Sequence, residues 1–309
     1  MDNRKEFRFP SSDGVTQIHA VEWPCEGAQR GVVQLAHGVA EYALRYDDFA
    51  RFLASHGLTV VANDHIGHGE SLAPGAQPLY FGAQRGWEHV VDDMQALCRL
   101  TKEKYPGKPY VLLGHSMGSF LARTLLIRYP EAVDAAIIMG TGQQSPAVLL
   151  GGRLFAGVEG RRIGFDAFSE KVDALAFGAY NKPFAPNRTP CDWLSVNEEN
   201  VDRYIADPLC GGKATVGLFR DMLGGIAFIE DKRNLAEMNL NLPVLFISGD
   251  SDPVGDMGRG VKAACQSFRR AGMRDVELKL YDGLRHEILN EKCRGQVYED
   301  ILRWIDAHI

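Results

Sequence analysis

Residues 111–119 read VLLGHSMGS and place a serine between two glycines in the pattern G-x-S-x-G. An aliphatic run precedes this pattern and a helical run follows it, so the sequence predicts a sharp strand-to-helix turn with Ser116 at its tip. Gly114 and Gly118 must be glycines because a Cβ at either position would clash in so tight a turn. A serine presented in this way at the start of a helix is suited to nucleophilic attack.

A histidine is the second group that this chemistry needs. A serine hydroxyl is a weak nucleophile until a base removes its proton. Two histidines follow Ser116 in the chain, His286 and His308, and His308 is the penultimate residue of a predicted surface helix. We therefore assign the role of base to His286, which follows the strand predicted over residues 276–281.

The base needs a carboxylate that orients it. This group should follow the strand predicted over residues 243–248, where the chain continues as GDSDPV. Asp250 and Asp252 are both candidates, and Asp256 is a more distant third. The proline after Asp252 favours an extended backbone there, as in a loop. Position alone leaves the choice between Asp250 and Asp252 open.

Acyl transfer also needs two N–H groups that face the developing oxyanion. The residue after the nucleophile, Met117, supplies one of them. The other is expected from the loop in which an early strand ends in His37-Gly38. We assign the oxyanion role to the amides of Val39 and Met117, with an ordinary glycine turn as the alternative interpretation of the early loop.

These groups require a scaffold that brings the ends of separate strands together. Short β-branched and aliphatic runs alternate with helical patterns, which is typical of a parallel sheet covered on both faces. Residues 7–23 predict an antiparallel hairpin at the sheet edge. The fold class is therefore predicted to be α/β with a mostly parallel, doubly wound sheet. The predicted strands cover residues 31–36, 58–63, 110–113, 135–139, 243–248 and 276–281.

The alternation stops between residues 143 and 235, where glycine and proline dipeptides interrupt the helical pieces. We interpret residues 143–235 as an inserted, mainly helical cap on a core formed by residues 1–142 and 236–309. An apolar run over residues 147–150 would suit transient contact of the cap with a membrane surface, although a buried helical turn is the favoured interpretation.

Composition excludes several classes of protein. The 309 residues are 45% hydrophobic and 24% charged, as in an ordinary globular chain. The net charge of −6 and the absence of long basic runs argue against a nucleic-acid partner. Six cysteines without a C-x-x-C pair are expected to be reduced thiols. Because no apolar segment is long enough for a signal peptide or a membrane span, we expect a soluble, cytoplasmic protein.

Two histidine-containing segments could suggest a metal site. Residues 63–69 read NDHIGHG, but no further ligands stand at a known spacing, so a polar turn after a strand is favoured. Residues 286–290 read HEILN, which begins like the zinc motif H-E-x-x-H but has Asn290 in place of the second histidine. We expect no metal and no other cofactor.

Taken together, the motifs resemble the α/β-hydrolase superfamily and, within it, the monoacylglycerol lipase and lysophospholipase-like group, also described as serine aminopeptidase-like hydrolases. Residues 37–46, HGVAEYALRY, are similar to that group's H-G-x-x-E-x-x-x-R-Y. Residues 64–71, DHIGHGES, are similar to its D-x-x-G-H-G-x-S turn, and residues 114–119 to its G-H-S-M-G-[SG] elbow. In this group the acid stands three residues after the glycine that closes the strand, so the resemblance implies Asp252 rather than Asp250.

The resemblance implies ester hydrolysis through an acyl-enzyme and without a cofactor. Ser116 would attack, His286 would move the proton and Asp252 would orient the imidazole. The expected substrate is a small-molecule or lipid ester such as a monoacylglycerol or a lysophospholipid. An aminopeptidase on the same triad and a ligand-binding protein on a hydrolase fold are the alternatives, and the intact triad positions argue against the second.

Overall fold

A computed structural model describes residues 3–309. Within them, eight strands form one sheet. They are β1 (Lys5–Pro10), β2 (Gln17–Trp23), β3 (Gly31–Ala36), β4 (Leu58–Asn63), β5 (Tyr110–His115), β6 (Ala135–Met139), β7 (Val244–Gly249) and β8 (Val276–Tyr281). Their order across the sheet is β1-β2-β4-β3-β5-β6-β7-β8. Strand β2 pairs antiparallel with β1 and β4, and all other neighbouring strands are parallel. Met1 and Asp2, with which the predicted core begins, lie outside the described residues.

Helices cover both faces of this sheet. The described residues form α1 (Asp47–Ser55), α2 (Gly86–Lys104), α3 (Met117–Arg128), α4 (Pro146–Ile163), α5 (Glu170–Ala176), α6 (Glu198–Ala206), α7 (Val216–Glu230), α8 (Lys232–Leu235), α9 (Arg259–Arg270) and α10 (Arg294–His308). Helices α1 and α10 pack on one face, and α2, α3 and α9 pack on the other. Neighbouring residues of one strand, such as Val32 and Val33, enter opposite layers. This alternation explains why the central strands are apolar throughout.

The predicted fold class is confirmed. The six predicted parallel strands agree with the observed strands to within two residues, and the edge hairpin is present as β1 and β2. Every residue of β3, β4, β5, β6 and β7 is buried. Strands buried on both sides leave few polar positions, so their signal is a continuous aliphatic run between turns.

Residues 143–235 lie between β6 and β7 and contain α4 to α8. Helix α7 contributes Phe219 and Ile226 to the same apolar layer as α2 and α3, and α4 packs against α7. The segment therefore shares a hydrophobic core with the sheet. Its treatment as a separate cap stays a prediction.

The favoured expectation for residues 147–150 is wrong. Leu149 is buried, but Val148 and Leu150 are 57% and 59% exposed. The reason is that α4 packs through a single narrow stripe, which includes Leu149 and Ala156, and has no neighbour on its outer side. We use the term "apolar face of α4" for its exposed apolar side chains, namely Val148, Leu150, Leu154, Phe155 and Val158.

No helix among residues 3–309 combines the length and the apolar character that a bilayer-spanning segment needs.

The junction of β5 and α3 is packed backbone against backbone. A Cβ built on Gly118 would lie 2.0 Å from the carbonyl oxygen of Ala36 at the end of β3. A Cβ on Gly114 would lie 2.3 Å from the carbonyl oxygen of Gly118. Both glycines of the G-x-S-x-G pattern are therefore required by close approach, as the sequence predicts.

We expect Gly118→Ala to lower the free energy of unfolding by about 2–4 kcal/mol, because a methyl group that meets main chain cannot be relieved by a rotamer change. Urea unfolding measures this loss. Gly157→Ala in α4 is the matched control because nothing lies within 4 Å of its added Cβ, and it should be neutral or up to about 1 kcal/mol stabilising. Equal stability of the two variants would contradict the packing account.

Candidate active site

Ser116 lies between the last residue of β5 and the first residue of α3, with a positive φ of 54°. Its amide donates a hydrogen bond to the carbonyl of Met139 at 3.0 Å, and its carbonyl accepts one from the Ser119 hydroxyl at 2.6 Å. Within residues 3–309 the Ser116 hydroxyl itself forms no hydrogen bond. The backbone of Ser116 is therefore held in a strained conformation while its side chain stays free to react.

His286 and Asp252 form a buried pair. The Nδ1 atom of His286 donates to Oδ2 of Asp252 at 2.9 Å. Asp252 is fully buried, and it also accepts hydrogen bonds from the Ser248 hydroxyl at 3.2 Å and the Val254 amide at 2.9 Å. The carboxylate thus holds the proton on Nδ1 and leaves Nε2 as the basic nitrogen.

The other two candidate acids lie elsewhere. Asp250 accepts a hydrogen bond from the Gly283 amide at 2.9 Å and stabilises the turn after β8. Asp256 forms an exposed ion pair with Arg259 at 2.7 Å. Asp252 is therefore the candidate acid that contacts His286. Position in the sequence left the choice between Asp250 and Asp252 open, and the family resemblance implied Asp252.

The loop after β3 lies beside the nucleophile. A Cβ on Gly38 would lie 3.0 Å from Cβ of Ser116. Within residues 3–309 the amides of Val39 and Met117 donate no hydrogen bond. Two free N–H donors therefore stand on the segments that flank Ser116, as an oxyanion site requires. The Gly38 amide donates to Glu41 at 2.6 Å, and this bond fixes the shape of the loop.

Sequence reasoning gave no separate role to a buried network beneath this loop. Glu41 accepts a hydrogen bond from the Tyr46 hydroxyl at 2.9 Å and faces Nδ1 of His115 at 3.2 Å. The Nε2 atom of His115 donates to the carbonyl of His286 at 3.2 Å. The two rings of His115 and His286 lie 4.6 Å apart. The network therefore joins the loop after β3 to the backbone of His286.

The charges in this network stabilise each other. Burial lowers the pKa of His115, but the hydrogen bond and the charge of Glu41 outweigh burial, so the pKa is raised. Burial raises the pKa of Glu41, but His115 and Arg45 outweigh it and hold the pKa well below its usual range. Glu41 is therefore a carboxylate, and its charge makes the His115 ring easier to protonate than a free imidazole.

A second buried ion pair extends the network toward α6. Arg45 donates to both oxygens of Glu287, at 2.6 and 2.8 Å, in the bidentate geometry that gives strong, oriented pairs. Asn200 of α6 donates to Glu287 at 2.7 Å. The residue after the base is thereby fixed to both the core and the inserted segment. Of these three residues, Arg45 lies in the family-like segment of residues 37–46.

Aromatic side chains of the inserted segment cover the base. The ring of Trp193 lies 5.2 Å from that of His286, and the ring of Tyr180 lies 5.1 Å from Trp193. Arg285 donates to the carbonyl of Ser195 at 3.3 Å and holds this part of the segment in place. The aromatic content of residues 143–235 is ordinary, so composition gave no sign of this cover.

The histidines after β4 belong to a turn. The His68 amide donates to the carbonyl of His65 at 2.9 Å. Both rings pack near the ring of His37, whose centroid lies 4.1 Å from that of His65 and 5.3 Å from that of His68. Burial, together with the charge of His37, lowers the pKa of His68 to about 3. The His68 ring is therefore neutral, as suits a packed side chain in a polar turn.

Comparison with known proteins places the chain in a family. The family model described as serine aminopeptidase, S33, matches residues 27–293. The chain belongs to this family. The matched range contains Ser116, Asp252 and His286.

The relatives of the chain include lipases and an esterase. The monoacylglycerol lipase of Mycolicibacterium smegmatis is 31% identical over 309 residues, which cover 99% of this chain and 98% of that protein. The monoglyceride lipase of Mus musculus is 28% identical over 300 residues, covering 93% and 86% of the two chains. A crystal structure of a thermostable carboxyl esterase from Bacillus coagulans, in complex with glycerol, matches with a TM-score of 0.91 at 26% identity and covers 99% of this chain and 98% of the esterase.

These comparisons confirm the resemblance to monoacylglycerol lipase-like α/β-hydrolases and the expectation of a carboxylic ester hydrolase. They do not favour the aminopeptidase alternative.

We expect Asp252→Asn to lower kcat for a p-nitrophenyl ester by about 10³–10⁴-fold, because the amide no longer holds the Nδ1–H tautomer of the base. Asp250→Asn is the matched control, two residues away in the same loop, and should stay within about threefold of the unmodified protein. A larger loss in Asp250→Asn than in Asp252→Asn would reverse the assignment of the acid.

Proposed function

We propose that this chain hydrolyses monoacylglycerols and closely related fatty-acyl monoesters, such as lysophospholipids, through an acyl-enzyme on Ser116. The observation that supports the proposal is that a serine hydroxyl without a hydrogen-bond partner, a carboxylate-bound histidine and two unpaired amides all follow the carboxyl ends of parallel strands. The names of the relatives support this substrate class, and the glycerol bound to the Bacillus coagulans esterase supports a glycerol leaving group.

The first half of the reaction forms the acyl-enzyme. Nε2 of His286 takes the proton of the Ser116 hydroxyl as Oγ attacks the ester carbonyl carbon. The carbonyl oxygen becomes an oxyanion that accepts hydrogen bonds from the Val39 and Met117 amides. Asp252 stabilises the imidazolium. When the tetrahedral intermediate collapses, the carbon–oxygen bond to glycerol breaks and the imidazolium protonates the leaving oxygen.

The second half releases the acid. Water replaces glycerol and gives a proton to His286 as its oxygen attacks the acyl carbon. The same two amides hold the second oxyanion. Collapse breaks the bond to Oγ, Ser116 regains a proton from the imidazolium, and the fatty acid leaves. Both halves use the same base, so a single histidine serves first as base and then as acid.

We propose further that the enzyme meets its substrate at a lipid surface through residues 143–235. The apolar face of α4 presents five exposed apolar side chains over about three helical turns. Exposed apolar faces of this kind bind lipid interfaces. Arg161 and Arg162 lie in the last turn of the helix, where Arg162 pairs with Glu159 and the exposed Arg161 favours an anionic surface.

A panel of initial rates tests the reaction. We expect hydrolysis of monoacylglycerol and of long-chain p-nitrophenyl esters, with little cleavage of an aminoacyl-naphthylamide. Ser116→Ala should reduce ester hydrolysis by at least about 10³-fold, because the nucleophile is lost while the oxyanion donors remain. Preference for the amide, or activity that survives in Ser116→Ala, would overturn the proposal.

Vesicle sedimentation tests the lipid surface. The double variant Leu154→Ser/Val158→Ser should reduce the vesicle-bound fraction several-fold, because two of the five side chains in the apolar face of α4 become polar. Hydrolysis of a soluble short-chain ester should be unchanged, because the triad is not altered. Val15→Ser is the matched control, since Val15 is 73% exposed on the edge hairpin. Equal vesicle binding by both variants would show that α4 is not the contact.

A further inference from the structure

A cavity of about 450 Å³ lies outside the proposed active site. Its walls come from the first turn of α2 and from α3, α4 and α7. None of the proposed catalytic or oxyanion residues lines it. The volume is in the range of pockets that hold small molecules. Two helices of the inserted segment and two helices of the core therefore enclose a space that the ester chemistry does not use.

Arginine side chains converge on this cavity from all four helical elements. They are Arg85, Arg128, Arg153 and Arg220, and among the described lining residues they outnumber the acidic ones, Glu88 and Asp221. Within residues 3–309, the side chains of Arg85 and Arg153 form no hydrogen bond or ion pair. Like charges gathered around one space repel one another, so an anion bound there would be stabilised.

Two buried polar atoms at the cavity have no partner among residues 3–309. Arg128 pairs with Asp92 at 3.1 Å, but its Nη1 atom is buried and unpaired. Asp221 accepts two hydrogen bonds from Arg220 at 2.7 and 2.8 Å, but its Oδ2 atom is buried and unpaired. The Asp221 side chain is only 10% exposed. Buried donors and acceptors are nearly always satisfied in folded proteins, so each of these atoms is expected to have a partner from outside the chain, either water or a ligand.

The N-terminus of α2 also lies at the cavity and favours a negative charge there. Gly86, Trp87 and Glu88, the first three residues of this 19-residue helix, line the cavity. The N-cap residue, Arg85, gives no side-chain hydrogen bond to the first amides. Free amides and the positive end of the helix dipole both favour an anion at this position.

The bound group must accept hydrogen bonds from guanidinium groups and also donate one to Asp221. A carboxylate can only accept, whereas a phosphate that carries an acid proton, or that stands beside an alcohol, does both. The aromatic side chains of Trp87 and Phe228 add an apolar wall.

We infer that this cavity binds a phosphate group, either free or as the monoester or diester of a small polyol. Such a ligand would contact α2 and α3 of the core and α4 and α7 of the inserted segment at once. Binding would therefore hold the inserted segment against the sheet and raise the melting temperature. The inference goes beyond the proposed function and does not depend on it.

The test uses the full-length Ser116→Ala protein, so that the outcome is independent of ester hydrolysis. Calorimetry and thermal melting are measured with inorganic phosphate and with sn-glycerol 3-phosphate, and glycerol serves as the uncharged control. Sedimentation with phosphatidylglycerol and phosphatidylcholine vesicles tests a lipid source of the same group. We expect saturable binding of at least one phosphate-bearing probe and a rise in melting temperature with the soluble probes, but no response to glycerol.

The double variant Arg85→Gln/Arg153→Gln should weaken this binding at least about tenfold. Both side chains are exposed, so the variant should fold and melt like its parent when no ligand is present. Arg203→Gln is the matched control, because Arg203 is exposed on α6 but does not line the cavity, and it should bind like the parent.

Binding of the soluble probes alone would assign the site to a soluble phosphate or its ester. Retention on phosphatidylglycerol vesicles that is lost in Arg85→Gln/Arg153→Gln would assign it to a lipid headgroup. The inference is overturned if no phosphate-bearing probe binds up to about 10 mM, or if binding is the same in the double variant and in Arg203→Gln.

Discussion

The close approach of α3 to the end of β3 is the constraint on which the rest of the site depends. No Cβ fits between Gly118 and the carbonyl of Ala36, so α3 must begin directly against the end of β3. This contact sets Ser116 beside the His37-Gly38 loop and brings the start of α3 and the loop amides to the same point. The turn at Ser116 therefore has two roles. It exposes the serine, and its main-chain packing against the end of β3 forms both sides of the proposed oxyanion site.

Beneath the elbow, buried charges connect parts of the chain that are remote in sequence. Burying a charge is costly unless a partner is present, and here Glu41 is paired with His115 and Arg45 with Glu287. Through these pairs the loop after β3, the segment that carries His286, and α6 depend on one another. The part of residues 143–235 that contains Trp193 and α6 is bound to the site, whereas α4 presents an open apolar face.

Much of the fold could be predicted because buried parallel strands read as aliphatic runs between turns, as in β3 and β4. The proposals for the nucleophile and the base followed from the glycine pattern and from the few histidines in the second half of the sequence. The choice between Asp250 and Asp252 could not be made from position, because it depends on which side of one loop faces the base. The Arg45–Glu287 pair joins residues 242 positions apart, and no local pattern reports such a contact. The exposure of α4 escaped prediction because an apolar run does not reveal whether a neighbour covers it.

The most direct test of the account is mass spectrometry of the intact protein after treatment with a fluorophosphonate, followed by peptide mapping. A fluorophosphonate loses fluoride when an activated serine attacks its phosphorus, so it reports the nucleophile itself. The account predicts a single phosphonyl adduct, located on Ser116, that forms much more slowly in Asp252→Asn. An unlabelled protein, or an adduct on any other residue, would contradict it.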